Sequence, residues 1–298
     1  MTWVDAGVSW QRSTPVPRGS GWVPTPGFFD TARGLAVQRN GAILRTEDGG
    51  STWTPVKAQV RGPLSGLALV GDSVATVVGA QIWRSTNGGN TWMQQVKPYR
   101  AGTLPGGVAF TDRNTGIICG WAGGILRTDD GGAHWSHVQT PWANAVLSVR
   151  FLTAGTAVAV GGGGLLIRTT DAGRTWSLVE SGTRHVLRDV AFLDARTGWA
   201  VGNFGVIIKT TNGGLSWTRQ ESGTEQPLSA VAFADELHGI VTGWDGQVHS
   251  TSDGGRTWMS LQAPTLEPLT SAVVSRAGRV FVTGRTATLL ELVAQQRR

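Results

Sequence analysis

The chain has 298 residues, 40% of them hydrophobic, and a net charge of +6. That is enough apolar material for a large core, and sheet-rich repeats reach this length as one domain. No apolar run approaches the roughly 18 residues of a membrane-spanning helix. The single cysteine, Cys119, excludes an internal disulfide. Its apolar setting (Ile117-Ile118-Cys119) is that of a buried, inert thiol.

Three lysines (Lys57, Lys97, Lys209) stand against 23 arginines. Forked guanidinium groups suit carboxylate and phosphate recognition, but codon usage accounts for the bare total, so position carries more than number. No long basic run or nucleic-acid motif is present, and no nucleic-acid partner is expected.

In chain order, Met1 is followed at once by Trp3-Val4-Asp5-Ala6-Gly7-Val8-Ser9-Trp10. This segment matches Asp171-Ala172-Gly173-Arg174-Thr175-Trp176. The full box reads Thr46-Glu47-Asp48-Gly49-Gly50-Ser51-Thr52-Trp53. It recurs at Ser85–Trp92, Thr128–Trp135, Thr169–Trp176, Thr210–Trp217 and Thr251–Trp258. Its acidic or amide residue is Asp5, Asp48, Asn87, Asp130, Asp171, Asn212 or Asp253; its tryptophan is Trp10, Trp53, Trp92, Trp135, Trp176, Trp217 or Trp258. The last six tryptophans are spaced by 39, 43, 41, 41 and 41 residues, a repeat architecture.

The box residues are those of a tight hairpin. Asp or Asn turns its side-chain oxygen onto nearby backbone N–H groups, and glycine accepts the positive φ such turns need. The tryptophan is an apolar plate, worth on the order of 4–6 kcal/mol as an upper bound when about 150–250 Å² is buried. A calcium reading fails on ligand count, because each loop has one or two carboxylates and no distant acidic ligand.

One repeat gives the strand plan. Leu228–Ala234 is an inner strand, Gly239–Gly243 a second, Gln247–Thr251 a third, and Thr257–Gln262 an outer strand. Turns lie at 235–238 and 244–246. The C-terminal stretch Phe281–Val293 resembles mid-repeat sequence with no box after it, whereas the N-terminus has a box with no strands before it. Together they make one repeat. The expected fold is therefore all-β, a single seven-bladed propeller over residues 1–298 with four-stranded blades, its closing blade shared between 1–14 and 265–293. Closure leaves no open edge. An N-terminus used in closure also implies that any export signal was removed beforehand. The Pro-rich stretch Thr14–Pro26 makes the first blade's inner strand hard to place.

These repeats resemble the photosystem II stability/assembly factor family of seven-bladed propellers, within the wider group of Asp-box (BNR-type) proteins. Two copies carry the likeness: Leu187-Arg188-Asp189-Val190-Ala191-Phe192-Leu193-Asp194 with Thr197-Gly198-Trp199-Ala200-Val201-Gly202, and then Gly205-Val206-Ile207-Ile208-Lys209-Thr210. The resemblance covers nearly the full chain. It implies a non-enzymatic, exported scaffold in the periplasm or thylakoid lumen that binds a protein client, such as a membrane-protein precursor or complex. It also implies arginines grouped on one face. No cofactor or metal is called for, and a monomer is expected.

In a propeller the ligand face is built from inter-blade loops and second–third-strand turns. Sorting residues onto it gives Tyr99, Arg100, Trp142, Arg184, His185 and Arg188 from the loops, and Trp121, Phe204, Trp244 and Asp245 from the turns. Arginine beside aromatics suits a binding hot spot; the same aromatics could equally cap the blades. Arg150 replaces the small residues Ala109, Ala191 and Ala232 of the aligned inner strands. A guanidinium there must pair internally or reach the channel or a ligand, and Arg188 and Asp189 in the neighbouring strand offer partners.

The alternative is a carbohydrate-active or glycan-binding Asp-box propeller of the sialidase type. Against it, the chain has one tyrosine, Tyr99, and no Arg-Ile-Pro or Arg-Leu-Pro segment. No spacing pairs Asp189, Asp245 and Glu225 as glycosidase carboxylates. The five histidines fall in different repeats. Gly161–Gly164 is followed by strand sequence and is not a phosphate loop. A third reading is a structural module that only presents surfaces to a membrane complex.

Overall fold

The second strand of each repeat is predominantly apolar, and every residue of Ala157–Gly161 and Gly239–Gly243 is buried. Such a strand must be covered on both faces. In the computed structural model, which describes residues 8–12, 26–96, 105–285 and 288–294, the neighbouring sheets provide that cover. Seven four-stranded antiparallel sheets are present among the described residues, each pairing its strands in sequence order apart from the closing one. The fourth strands form the exposed rim, as Thr54–Pro55 and Ser177–Leu178 show. Asp5 of the first box, Tyr99 and Arg100 lie outside the described residues, as does the Pro-rich stretch up to residue 25.

The closing sheet is built from both ends of the described chain. Leu269–Val274, Val280–Gly284 and Leu289–Ala294 are its first three strands, and Val8–Arg12 is the fourth. Val8–Arg12 runs antiparallel to Leu289–Ala294, with Ser9 opposite Val293 and Gln11 opposite Glu291. Trp10 donates its indole N–H to the Gln262 carbonyl at 2.7 Å, which ties this strand to the outer strand of the preceding blade. The first blade's inner strand is short, only Gly27–Phe28.

The box tryptophans pack through a recurring three-residue contact. Phe110, Phe192 and Phe233 close their inner strands, and each ring lies where a Cβ on Gly116, Gly198 or Gly239 would come within 2.6 Å. The rings then meet Trp135, Trp217 and Trp258 edge-on at 5.9 Å, a favoured aromatic geometry. Glycine at the start of the second strand is therefore a seat for the phenylalanine ring.

Each box is closed by its own side chains. Thr46 donates to Asp48 at 2.8 Å, and the Thr52 N–H and hydroxyl fill the two carboxylate oxygens at 2.9 and 2.6 Å. Asn fills the same place by reversing one bond: the Asn87 amide donates to the Thr91 hydroxyl at 2.9 Å, and Asn212 does likewise to Ser216. The Thr46 hydroxyl also accepts the Gly50 N–H at 2.7 Å, completing the turn.

Position explains part of the arginine excess that composition alone left to codon usage. In five blades the third-strand residue just before the box lends a cation to the backbone of the next blade. Arg45 donates to the Gly88 carbonyl at 3.0 Å, Arg127 to Ala172, Arg168 to Gly213 and Lys209 to Gly254, these three at 2.9 Å. Arg84 reaches the Arg113 carbonyl. These carbonyls lie at turns outside the strand ladders, so each cation satisfies a backbone acceptor there, with the Gln220 amide joining Lys209 on Gly254 at 3.3 Å.

Candidate functional site

Strand direction alternates within a blade, so the second–third turns and the connections to the next blade emerge on one face. The boxes emerge on the other. On the first face Arg188, from inner strand Leu187–Phe192, donates Nε to the Asn203 side-chain oxygen at 2.7 Å. Its guanidinium lies over the Trp244 ring at 5.8 Å, and that of Arg285 lies over the same ring at 6.0 Å. Trp244 begins a tight turn, Trp244–Gly246, whose central residue Asp245 has φ 55°. Three blades thus converge on one indole. Burial, together with the neighbouring charge of Arg285, pulls the Arg188 pKa down from its ordinary value.

The other aromatics of this face project outward. Trp121 is 63% exposed, Phe204 59% and Trp244 40%. Phe204 carries the His185 ring against it at 4.4 Å between centroids. Arg184 is exposed and Trp142 is half-buried. Both line a cavity of about 510 Å³ with Asn144, Gly162–Gly164, Leu178 and Glu180.

Arg150 sits lower in the channel. It donates Nη1 to the Val149 carbonyl at 2.9 Å and pairs through Nη2 with Asp189 at 3.4 Å. Asp189 also accepts the Ser148 hydroxyl at 2.8 Å and the Val231 N–H at 3.3 Å. This cluster joins three blades. Of the two candidate partners, Asp189 holds Arg150, while Arg188 turns to Asn203. Asp189 is thereby engaged by three donors.

The histidines are dispersed. His134 contacts Asp130 inside a box and His238 contacts Asp235 in a turn, while His249 is buried beside Gln247. Among the described residues no group of three or more His, Cys, Asp or Glu is placed to share a metal ion. No helix among them is long and apolar enough to cross a membrane. Burial pushes the Cys119 thiol up to about 12.

Sequence reasoning selected Arg188, Trp244, Phe204, Trp121, Trp142 and Arg184 for this face, and the fold puts their turns and loops there. Arg285, Asn203 and Asn144 were not selected. The signal for Arg285 was present: aligning Gly284 with Gly161 and Gly243 puts Arg285 in register with Trp244. The cavity had no signal beyond four successive glycines, which sequence could only exclude as a phosphate loop.

Comparisons with known proteins agree with this architecture. A model of the family described as photosynthesis system II assembly factor YCF48 matches residues 101–184, spanning the third and fourth blades. A solved structure of YCF48 bound to D1 peptide is similar over 98% of this chain and 97% of that one, at 20% identity and a TM-score of 0.78. YCF48 from Cyanidioschyzon merolae is similar over 95% and 98%, at 22% identity and a TM-score of 0.77. A GH74 xyloglucanase from Xanthomonas campestris is also similar, at 17% identity and a TM-score of 0.73, over 94% of this chain but 53% of that one. At these identities the structural likenesses speak for the fold. No curated protein matches the sequence. The resemblance to the photosystem II assembly factor family thus appears in sequence over two blades and in fold over nearly the whole chain.

Proposed function

We propose that this propeller binds a peptide segment of a client protein on the face formed by Arg184, Arg188, Trp244 and Arg285, as an assembly or maturation factor and without catalysing a reaction. The observation that carries this reading is the convergence of two guanidinium groups on one partly exposed indole. Arginine and tryptophan at the centre of a patch are the residues whose loss costs an interface most. Two cations held near one another favour an acidic ligand, because a carboxylate relieves their mutual repulsion. A similar propeller bound to D1 peptide supports a peptide as the ligand class, and the family resemblance supports a membrane-protein precursor as the client class. The same resemblance supports an exported location. Trp121, Trp142 and Phe204 join that face as secondary contacts, and Arg150, paired with Asp189 lower in the channel, stays in the proposal as a contact for a segment that reaches inward. Arg100 stays in the proposal on sequence grounds alone.

Fluorescence anisotropy with a labelled D1 peptide tests this directly. Replacing Arg184, Arg188 and Arg285 together by Gln should weaken binding at least 30-fold at low salt and flatten its salt dependence, while the unfolding midpoint stays put. Unchanged affinity in that triple variant would place the ligand elsewhere. Turnover of a xyloglucan oligosaccharide that disappears in Asp245→Asn would instead establish the carbohydrate reading.

A further inference from the structure

Three second–third turns on the ligand face supply an exposed aromatic: Trp121 in the third blade, Phe204 in the fifth and Trp244 in the sixth. The fourth blade lies between the first two of these and supplies none. Its turn reads Gly161-Gly162-Gly163-Gly164, with Gly162 in register with Trp121 and Trp244, and Gly163 with Phe204. Where the fifth blade packs Phe204 on His185, the fourth has Gly163 facing Asn144. Beside this ring-less turn, between it and the connection to the next blade, lies the cavity of about 510 Å³.

We infer that this cavity receives an aromatic side chain of the bound client. The inference rests on the client-binding reading above and names the residue type that anchors the client. Trp142 supplies a ring edge or face for stacking and Leu178 an apolar wall, 61% exposed. Asn144 supplies an amide that can bond the flanking peptide backbone. The connection carrying Glu180 and Arg184 runs from the outer strand to the next inner strand, so Glu180 lies toward the rim and Arg184 toward the channel. Arg188 follows four residues after Arg184, in the next inner strand. A segment seated with its aromatic in the cavity therefore presents its acidic neighbour to Arg184, which fixes its direction across the face.

The fourth blade also offers a clean block. A Cβ built on Gly162 meets nothing closer than 3.7 Å, and its φ lies outside the left-handed region. Gly162→Trp thus places at this turn the residue that two sister blades carry, on the cavity wall, where its indole competes with an incoming ring. Saturation-transfer NMR with N-acetyl-L-tryptophanamide should give a signal on the wild-type protein at least fivefold above that of N-acetyl-L-leucinamide. Gly162→Trp should abolish it, and Trp142→Ala, which removes the opposing ring, should do the same if Gly162→Trp unfolds the blade. The Arg188 and Arg285 double Gln variant, which leaves the cavity lining intact, should keep the signal. Peptides selected from a random library on the wild-type protein should share an aromatic residue and lose at least tenfold in affinity with Gly162→Trp. Equal signals for the two amides, a signal that survives both variants, or a stronger signal from cellobiose would each overturn the inference. Peptides that bind through the arginines yet ignore Gly162→Trp would overturn it while leaving the client-binding reading standing. An amide signal without any peptide binding would overturn the client-binding reading and, with it, the assignment of the cavity to a client residue.

Discussion

Arg279 holds Glu291 through two hydrogen bonds of 2.6 and 2.5 Å, and its remaining amino group donates to the Gly49 carbonyl at 2.8 Å. Glu291 occupies the third-strand position where five other blades have Arg or Lys, or Ser250 in the sixth. The cation that ties the closing blade to the first box therefore comes from a different turn, and the carboxylate fixes its direction. The seam is made by the same kind of contact as the other blade junctions, with the charge relocated.

Removing one member of that pair should cost more than removing an ordinary inter-blade cation. Glu291 is 9% exposed, and stripping its partner leaves a largely buried carboxylate uncompensated, a loss of roughly 3 kcal/mol for Arg279→Met. Arg168→Met removes a single hydrogen bond to a carbonyl and should cost about 1–2 kcal/mol. Urea unfolding of the two variants, read by tryptophan fluorescence, checks the order. Equal losses would mean that the seam carries no special burden.

Acid should weaken the boxes in a defined window. Burial raises the carboxyl pKa of Asp48 and Asp171, but the hydrogen bonds from Thr52 and Thr46, and from Thr175 and Thr169, outweigh it and hold each at about 2. Their unfolded value is about 3.9. With the folded value the lower one, this stability is complete above about pH 4 and is lost as pH falls toward 2. Replacing both residues by Asn should flatten the fall in unfolding midpoint between pH 5 and pH 2.5, because Asn87 and Asn212 already fill the same place elsewhere. An unchanged acid limb would show that other carboxylates control it.

Two glycines of the fourth-blade turn should respond very differently to alanine. Gly164 has φ +75°, and a Cβ there would lie 2.0 Å from the Thr183 carbonyl oxygen. Gly164→Ala should cost at least about 2 kcal/mol through strain and displacement of the next connection. Gly162→Ala should stay within about 0.5 kcal/mol of wild type. Thermal unfolding separates them. A sensitive Gly162 would mean that the cavity wall is tighter than its geometry indicates.

What sequence determined was the ring. Box spacing, the apolar second strands and the split repeat at the two ends fixed seven sheets and their closure, because each rests on local turn chemistry and on a period that any one copy displays. The packing of the box tryptophans, buried at Trp53 and Trp135 and partly buried elsewhere, followed from the same pattern, although the phenylalanine seated on Gly116, Gly198 or Gly239 emerged only from packing. Tertiary structure decided which charges meet. Arg150 and Asp189 lie 39 residues apart in number and touch because neighbouring inner strands line one channel. Arg188 and Arg285 come from blades five and seven, and Trp244 between them from blade six. Pairings of that kind depend on how the circle brings distant blades together, and a linear pattern holds no record of the angle between them. The cavity at Gly162 is the same case: four glycines announce missing side chains, but only the walls raised by the flanking connections turn that absence into a space.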